Sequence, residues 1–421
     1  MNYKETLEFI HSVSWKGSRP GLCRTVKLLS LMGNPEKKLK FVHIAGTNGK
    51  GSTASMTANI LEKAGYTVGL YTSPYIFTFN ERMRVNGENI SDSELVSVTE
   101  FVKPLAEKME DTPTEFELVT CIAFEYFYRK KCDIVVLEVG MGGELDSTNV
   151  IDSPEVAVIT NIGLDHTEFL GDTLEKIAET KSKIIKENST AVLYPSTDGV
   201  RSVVEKRCLD VNAKLKIAEF HEMKLNSASL SGQLFDFKDF KNVKLPLLGK
   251  HQLNNTATVF AVVDALRERG WEIFDESIRE GIETVRWQGR FELVSEKPTF
   301  IVDGGHNPQC AEALFENVKE YLGRGKLVVL TGVLADKDYD SMYADMATLT
   351  SEFVTVTPPN PRALSADKLA EYLTRFGKTV TPANTIEDGV KLAKEKAGEN
   401  GAVLAYGSLY MVADIEKSAR S

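Results

Sequence analysis

The sequence predicts an α/β protein of two domains, the first with a mainly parallel sheet and the second smaller. Near-continuous apolar runs rich in β-branched residues alternate with helical patterns, which is typical of parallel strands covered on both faces. A second such series begins after residue 290, and 421 residues exceed the length of one ordinary domain. The predicted strands are 40–46, 66–73, 132–140 and 155–163 in the first series, and 299–305, 326–333, 352–359 and 402–408 in the second.

Helical patterns separate these strands. A short alternation around Ser231 and Gly232 predicts a hairpin between two of the helices. The segment 287–290 interrupts the helical pattern, so we predict domains at 1–293 and 294–421, the second with a Rossmann-like alternation of strand and helix. The predicted helices are 52–64, 91–108, 115–130, 173–187, 252–269 and 275–285.

The composition disfavours several classes of protein. With 42% hydrophobic and 26% charged residues the chain is typical of a globular protein, and no apolar run is long enough to span a bilayer. The formal charge of −10 disfavours a nucleic-acid surface, and five cysteines without CxxC spacing disfavour a zinc site or a disulfide framework. The charged N-terminal segment has no signal-peptide pattern. We therefore expect a cytoplasmic protein, and a monomer because no coiled-coil pattern indicates otherwise.

The strongest local motif is GTNGKGS, between a predicted strand and a predicted helix. Glycines allow backbone N–H groups to turn toward phosphate oxygens, and the following helix N-terminus favours negative charge. Lys50 can reach the β- and γ-phosphates of a nucleotide and Ser52 a magnesium ion, although a glycine follows Lys50 where the common motif has Ser or Thr. A glycine-rich turn without a ligand is the alternative. The motif predicts a P-loop-type ATPase domain whose nucleotide-binding residues are Gly46, Thr47, Asn48, Gly49, Lys50, Gly51 and Ser52.

Eight segments, in chain order, resemble the folylpolyglutamate synthase/dihydrofolate synthase family of the Mur ligase superfamily. GTNGKGS is similar to the family's variant phosphate loop. The segment EVGMGGELDSTN is similar to EVGLGGRLDATN, and DGGHNP is similar to DGAHNP. The resemblance covers nearly the whole chain, and the other segments lie at 71–75 with 79–82, 165–171, 251–255, 289–292 and 332–338.

The resemblance implies a magnesium site formed by Ser73, Glu138 and His166. From its own position, Glu138 ends an apolar strand and opens a glycine run, so its carboxylate can face the sheet edge where α/β proteins bind ligands. A solvated strand-end acid is the alternative. A lone loop histidine is more often structural, and imidazole is an unusual Mg²⁺ ligand, so the role of His166 rests on the resemblance alone.

The resemblance also implies three catalytic residues, Lys50, Lys181 and His306. By its sequence context Lys181 would be a solvated lysine on a charged helix. In the family the matching lysine is carbamylated, which turns a cation into a carboxylate-like group that helps to hold a second Mg²⁺. The register matches Lys181 rather than Lys183, whereas His306 opens a loop after the first strand of the second domain.

For the nucleotide and the substrates the resemblance implies seven further contacts. An asparagine amide can pair with an adenine edge, and the planar fork of an arginine suits phosphate. An exposed amide, a surface arginine, a core aromatic residue and a capping acid are the corresponding structural alternatives. The implied nucleotide contacts are Asn255, Arg290 and Asp303, and the implied substrate contacts are Tyr75, Arg82, Asp146 and Ser408.

The implied activity is the ATP- and Mg²⁺-dependent ligation of L-glutamate to the carboxylate of a folate through an acyl phosphate. The sequence does not separate tetrahydrofolate polyglutamylation from the addition of glutamate to dihydropteroate. A Mur-type ligase with another carboxylate acceptor stays open, although the phosphate loop begins only 45 residues in and leaves no room for the N-terminal nucleotide-sugar domain that those ligases usually carry. A nucleotide-binding switch also stays open, but no NKxD motif supports it.

Three segments depart from the family pattern. Glu144 replaces the arginine of GGRLD and reverses a charge near the expected acceptor pocket. Gly305 replaces an alanine, and Ser182 with Lys183 replaces alanine and glycine beside the modified lysine.

Overall fold

The computed structural model describes residues 1–14, 17, 19–323 and 325–420. The chain forms two compact units. The first contains Met1–Lys224, Asp236–Val243 and Asn254–Val285, and the second contains Leu225–Phe235, Lys244–Leu253 and Arg286–Ser421.

This division differs from the expected boundary after residue 293. Residues 286–293 group with the second unit, because the strand at Glu292–Glu296 pairs antiparallel with the strand at Thr299–Val302. The segments 225–235 and 244–253 join the same unit although they lie far upstream in the sequence. Hydrogen bonds show the reason: the buried Gln233 amide joins the two segments by donating to the carbonyls of Leu247 and Gly249, and the Gly249 N–H donates to the Tyr321 hydroxyl.

The first unit is built on an eight-stranded sheet of order β4-β3-β2-β5-β1-β6-β7-β8. Its strands are parallel except for β3 and β4, which pair antiparallel at one edge. The central strands are fully buried, as their apolar runs predict. The bounds are β1 (Phe41–Ala45), β2 (Val68–Tyr71), β3 (Met83–Val85), β4 (Glu88–Asn89), β5 (Ile134–Glu138), β6 (Val156–Ile159), β7 (Thr190–Leu193) and β8 (Lys214–Ile217).

Two further sheets complete the strand inventory. A three-stranded sheet has the order β11-β10-β9, and β9 and β10 meet at the turn where the sequence predicts a hairpin. A six-stranded sheet of order β12-β13-β17-β14-β15-β16 forms the centre of the second unit, with all pairs parallel except β12 with β13. The bounds are β9 (Met223–Ser229), β10 (Gly232–Phe237), β11 (Phe240–Leu245), β12 (Glu292–Glu296), β13 (Thr299–Val302), β14 (Leu327–Thr331), β15 (Glu352–Thr355), β16 (Thr379–Pro382) and β17 (Ala402–Tyr406).

Helices connect the parallel strands, and several begin at capping boxes. Asn2, Ser91 and Thr114 each precede a helix and exchange hydrogen bonds with a glutamate three residues later. The helices are α1 (Tyr3–His11), α2 (Cys23–Leu31), α3 (Lys50–Lys63), α4 (Asp92–Glu107), α5 (Glu115–Arg129), α6 (Thr167–Leu170), α7 (Leu174–Ser182), α8 (Asp198–Asp210), α9 (Lys250–Glu268), α10 (Asp275–Glu283), α11 (Pro308–Tyr321), α12 (Tyr339–Leu349), α13 (Ala366–Thr374), α14 (Ile386–Ala397) and α15 (Val412–Arg420).

Helix α7 is shorter than the predicted segment 173–187. After Lys183 the chain turns, and both Ile184 and Ile185 are fully buried in an apolar cluster of the first unit. Consecutive residues on a helix point about 100° apart, so a turn buries both side chains more readily than a continued helix. The end of α7 therefore follows from packing. Among the described residues, no helix has the length and apolar character needed to cross a membrane.

Candidate active site

The phosphate loop follows β1 directly and leads into α3, as the sequence predicts. Thr47 and Asn48 donate their backbone N–H groups to the carbonyl of Asn161, and the Thr47 hydroxyl donates to the carbonyl of Gly163. The loop is therefore tied to the segment after β6, the neighbouring strand of the sheet. Gly51 and Ser52 lie in the first turn of α3, the end of a helix that favours an anion.

Two glycines of the loop have no room for a side chain. A Cβ atom at Gly46 would overlap the hydroxyl oxygen of Thr160, which donates to the carbonyl of Asn48 at 2.9 Å. Gly49 has φ +85°, and a Cβ there would lie 2.5 Å from Oδ1 of Asn255. Asn255 is buried on α9, so the structure places this predicted nucleotide contact against the phosphate loop.

Two lysines converge on one carbonyl of this loop. The Nζ atom of Lys181 donates to the carbonyl of Gly46 at 2.9 Å, and Nζ of Lys50 donates to the same oxygen at 3.2 Å and to that of Thr47 at 3.3 Å. Lys181 is buried. Burial and then the positive charge of Lys50 lower the pKa of Lys181 to about 7. A buried amine that is partly neutral near pH 7 thus lies against the phosphate loop.

Ser73 and Glu138, two of the predicted metal ligands, are in contact. Glu138 is buried at the end of β5, and its Oε2 accepts a hydrogen bond from the backbone N–H of Ser73 at 3.1 Å. The Ser73–Pro74 peptide bond is cis. The two side chains lie at the carboxyl ends of β5 and β2, which are adjacent strands.

His166, the third predicted ligand, lies in a more exposed position. It has a left-handed backbone at φ 51°, and its side chain is 44% exposed. Its Nε2 lies 3.9 Å from Oδ2 of Asp165, and its backbone N–H donates to the Asp165 carboxylate. The structure thus places His166 beside Asp165 at the start of α6, in contrast to the buried Glu138.

Asp146, a predicted substrate contact, closes the loop that follows β5. Its Oδ2 accepts from the backbone N–H of Met141, and its Oδ1 accepts from the backbone N–H and hydroxyl of Thr148. Burial raises its pKa, which these hydrogen bonds partly oppose. The capping acid considered from the sequence is therefore present in the structure. Glu144, the charge reversal in this loop, is exposed.

Tyr75 and Arg82 lie close to one another in the first unit. The Arg82 guanidinium lies over the Tyr75 ring at 5.3 Å and over the Phe79 ring at 5.7 Å. Tyr75 is 37% exposed, which leaves part of its ring accessible to a ligand. The two predicted substrate contacts therefore form one aromatic and cationic surface.

In the second unit, Asp303 and His306 follow β13, and Arg290, which precedes β12, lies beside Gly304 in the same cluster. The buried carboxylate of Asp303 accepts from the backbone N–H groups of Phe291 and Gly305, and the Gly304 N–H donates to the carbonyl of Gly289. Burial raises the pKa of Asp303, which the charge of Arg290 partly opposes.

The His306 ring and Ser408 complete this cluster. Nδ1 of His306 lies 2.9 Å from the carbonyl of Gly304, so Nδ1 carries the proton in this contact. Ser408 is buried after β17, and its hydroxyl accepts from the N–H of Tyr410. The Gly407 N–H donates to the carbonyl of Gly305, which brings the Ser408 loop beside the His306 loop.

Two positioning side chains were missed from the sequence. Thr160, the residue after β6, donates to the phosphate loop, and no local motif marks it. The buried carboxylate of Glu81 accepts from the backbone N–H groups of Ile76, Phe77 and Thr78 and so shapes the loop that carries Tyr75. The Thr78-x-x-Glu81 spacing of a capping box could have indicated Glu81.

Two buried histidines should make the protein less stable in acid. Burial, assisted by Lys186, lowers the pKa of His43 to about 3, and burial, assisted by Arg290, lowers that of His251 to about 4. An unfolded histidine takes up its proton near pH 6.5, so the folded state loses stability as the pH falls from about 6.5 toward each folded pKa. We expect a loss of about 1.4 kcal/mol per pH unit for each histidine in that window.

Urea unfolding of the wild type and of His43→Gln between pH 6.5 and 4 measures this loss. The variant lacks one titrating group, so its free energy of unfolding should fall less steeply by about 1.4 kcal/mol per pH unit. Equal slopes in the two proteins would contradict a neutral His43 in the folded state.

Comparison with known proteins identifies the class to which this fold and site belong. Residues 44–263 match the Mur ligase middle domain, and residues 289–409 match the glutamate ligase domain of Mur ligases. A phosphate loop in the first unit and an α/β second unit are thus those of a Mur-type ligase.

The similar proteins are more specific. The chain is 37% identical over 426 residues to the dihydrofolate synthase/folylpolyglutamate synthase of Bacillus subtilis, covering 99% of this chain and 98% of that protein. It is 36% identical over 380 residues to the folylpolyglutamate synthase of Lacticaseibacillus casei, covering 86% and 87%. The structure of Escherichia coli FolC in complex with DHPP and ADP superposes with a TM-score of 0.88 at 30% identity, covering 99% of this chain and 97% of that chain. This chain belongs to the folylpolyglutamate synthase/dihydrofolate synthase family, and it is an ATP-dependent ligase.

Proposed function

We propose that this protein ligates L-glutamate to the carboxylate of a folate, with tetrahydrofolate as an acceptor and dihydropteroate as a second one. The observation that carries the proposal is the near full-length similarity to enzymes that bear both names, which includes the phosphate loop and the second unit. A neighbour solved in complex with both DHPP and ADP supports an acceptor that binds together with a nucleotide.

The phosphate loop and the other nucleotide-contacting residues have separate roles in the proposed reaction. ATP transfers its γ-phosphoryl group to the acceptor carboxylate, which gives an acyl phosphate and ADP, and the amine of glutamate then attacks the acyl carbon and releases inorganic phosphate. The loop N–H groups and Lys50 hold the phosphates and neutralise their charge. Asn255 lies against Gly49 and is suited to contact the nucleotide. In the second unit, Arg290 supplies a positive charge, Asp303 a buried carboxylate and His306 an imidazole. Their proposed partners are the nucleotide and the transferred phosphoryl group.

The residues at the ends of β2 and β5 fit a magnesium ion. Mg²⁺ prefers oxygen ligands, and it commonly uses one or two carboxylates together with phosphate and water. Glu138 and Ser73 offer a carboxylate and a hydroxyl in neighbouring positions. In the part of the chain that the structure describes, no three His, Cys, Asp or Glu side chains gather as a metal site. When bound, the ion would stabilise the negative charge of the phosphates as a Lewis acid. We propose His166 as the third protein ligand of this ion.

Lys181 is suited to carbamylation. A neutral amine attacks CO₂ through its nitrogen lone pair, a C–N bond forms, and a proton is released to give an anionic carbamate. The lowered pKa of Lys181 provides the neutral amine at physiological pH, and the contact with the carbonyl of Gly46 places it beside the phosphates. A carbamate there would offer oxygen atoms to a second Mg²⁺.

The acceptor is proposed to bind at the surface formed by Tyr75 and Arg82, beside the loop organised by Asp146. An exposed aromatic ring offers a stacking face, and a guanidinium pairs with a carboxylate. Ser408 is the corresponding proposal for the incoming glutamate. We further propose that the protein acts as a cytoplasmic monomer, which sedimentation and cell fractionation would test.

Acceptor-dependent ADP release tests this function. We expect release with ATP, Mg²⁺ and L-glutamate to require tetrahydrofolate or dihydropteroate, and to disappear when L-glutamate is replaced by L-glutamine or when Lys50 is changed to methionine. Mass spectrometry of the product should show one added glutamyl residue. ATP binding without stimulation by either acceptor would leave the ligase class standing but would reject the folate acceptor.

A further inference from the structure

A fully buried histidine lies in the middle of β1, three residues before the phosphate loop. His43 has no exposed surface, and its neighbours in the strand are apolar. Its Nε2 lies 2.9 Å from the hydroxyl oxygen of Thr148, a residue 105 positions later in the chain. Burying a polar ring in a central parallel strand costs free energy unless its nitrogen atoms are hydrogen-bonded, and here Nε2 is the nitrogen that has a partner.

The directions of the hydrogen bonds around Thr148 follow from Asp146. The Asp146 carboxylate is an acceptor, since backbone N–H groups of Met141 and Thr148 point to it. The Thr148 hydroxyl therefore donates its proton to the carboxylate of Asp146, with 2.6 Å between Oγ1 and Oδ1. Its oxygen can then only accept from His43, so the neutral ring carries its proton on Nε2. Among the described residues, Nδ1 of His43 has no hydrogen-bond partner.

This chain of hydrogen bonds reaches the loop between Glu138 and Asp146. The loop also packs closely on α7, because a Cβ at Gly143 would lie 2.9 Å from Cα of Lys181 and the Glu144 N–H donates to the carbonyl of Thr180. A shift of the loop would therefore displace its contacts with the helix that carries Lys181. Buried hydrogen-bond networks of this kind fix one arrangement of a site.

We propose that His43 is a positioning residue for the ligase reaction, which fixes Asp146 and its loop through the hydroxyl of Thr148. The inference rests on the proposed function in one respect, since Asp146 is taken to face the acceptor. His43 itself does not touch a substrate. Its effect should therefore be seen in acceptor binding and in loop order, while nucleotide binding stays nearly unchanged.

The two amide replacements for histidine provide a matched test. A glutamine amide nitrogen can occupy the position of Nε2, an asparagine amide reaches only the position of Nδ1, and leucine removes both nitrogens. We expect His43→Leu and His43→Asn to raise the acceptor KM by about tenfold or more with a smaller change in kcat. His43→Gln should restore the KM to within about threefold of the wild type. Thr148→Val should behave like His43→Leu, and the double variant should lose little more than either one.

Two measurements that need no turnover keep this inference separate from the proposed function. Hydrogen exchange in the segment 139–150 should be faster in His43→Leu and Thr148→Val than in the wild type or His43→Gln. Nitrogen-15 NMR of the six histidines should show, for His43, a buried neutral ring protonated at Nε2, and this signal should be lost in His43→Gln.

The possible results separate the two ideas. A wild-type protein without folate ligation that still shows these exchange and NMR patterns would reject the proposed function and retain the positioning role. Equal acceptor KM values and equal exchange in the leucine, asparagine and glutamine variants would overturn the positioning role.

Discussion

Replacing Lys181 with methionine is expected to lower the kcat of glutamate ligation by about a hundredfold or more while the protein stays folded. Methionine keeps the length and removes the nitrogen that contacts the carbonyl of Gly46. It also removes the carbamate proposed to form there. The measurement is steady-state ADP release with saturating ATP, glutamate and acceptor, compared with the wild type.

The stability of the same variant should change in the opposite direction. Burial disfavours the charged form of Lys181 in the folded state, so the wild type incurs a cost at pH 7 that methionine does not. Because the folded pKa is lowered from 10.5 to about 7, this cost is largest at and below pH 7 and disappears as the pH rises to about 10.5. We expect a higher Tm for the variant at pH 7, and a difference that shrinks as the pH rises.

Lys183 provides the matched control for the effect on activity. It lies two residues further on at the end of α7 and is only half-buried, so Lys183→Met should retain kcat within about threefold. Acetate should partly restore activity to Lys181→Ala if an anionic oxygen group is what the site lacks. An unchanged kcat in Lys181→Met would exclude a catalytic role for this lysine.

Replacing Gly49 with alanine is expected to weaken ATP binding by about a hundredfold. The backbone at Gly49 has φ +85°, and the added Cβ would lie 2.5 Å from the buried Asn255 amide. The methyl group requires the loop to move away from α9 or the buried Asn255 amide to shift, and either change disturbs the groups that contact the nucleotide. Isothermal titration with a non-hydrolysable ATP analogue measures the change.

Gly65 separates the backbone effect from the steric one. It has φ +91° but no atom within 4 Å of an added Cβ, so Gly65→Ala incurs only the left-handed strain. We expect that variant to lose about 1 kcal/mol of unfolding free energy and to bind the ATP analogue normally. If the two alanine variants bind the analogue equally well, close packing of Asn255 on the phosphate loop is not required.

The class of the fold was predictable because its signals are local. The buried strands β1, β5 and β6 appear as short β-branched apolar runs, and the family comparisons confirm the two α/β parts. Strands β3, β4, β7, β8, β12 and β16 were missed, since segments of two to five residues carry too little hydrophobic pattern to be recognised. The sequence also did not predict that segments 225–235 and 244–253 belong to the second unit, because that grouping depends on long-range contacts.

By itself the sequence determined that this protein has a phosphate loop between a strand and a helix, since seven consecutive residues specify that geometry. The family assignment follows from motifs of the same contiguous kind. Only the tertiary structure decided that Lys181 contacts a carbonyl 135 positions away, and that His43 supports Asp146 through Thr148. Those contacts are fixed by the order of strands in the sheet and by burial, and a lowered lysine pKa or a neutral histidine arises only when distant segments together exclude water. The charged helix pattern therefore predicted a solvated Lys181, whereas the structure buries this lysine and the burial lowers its pKa.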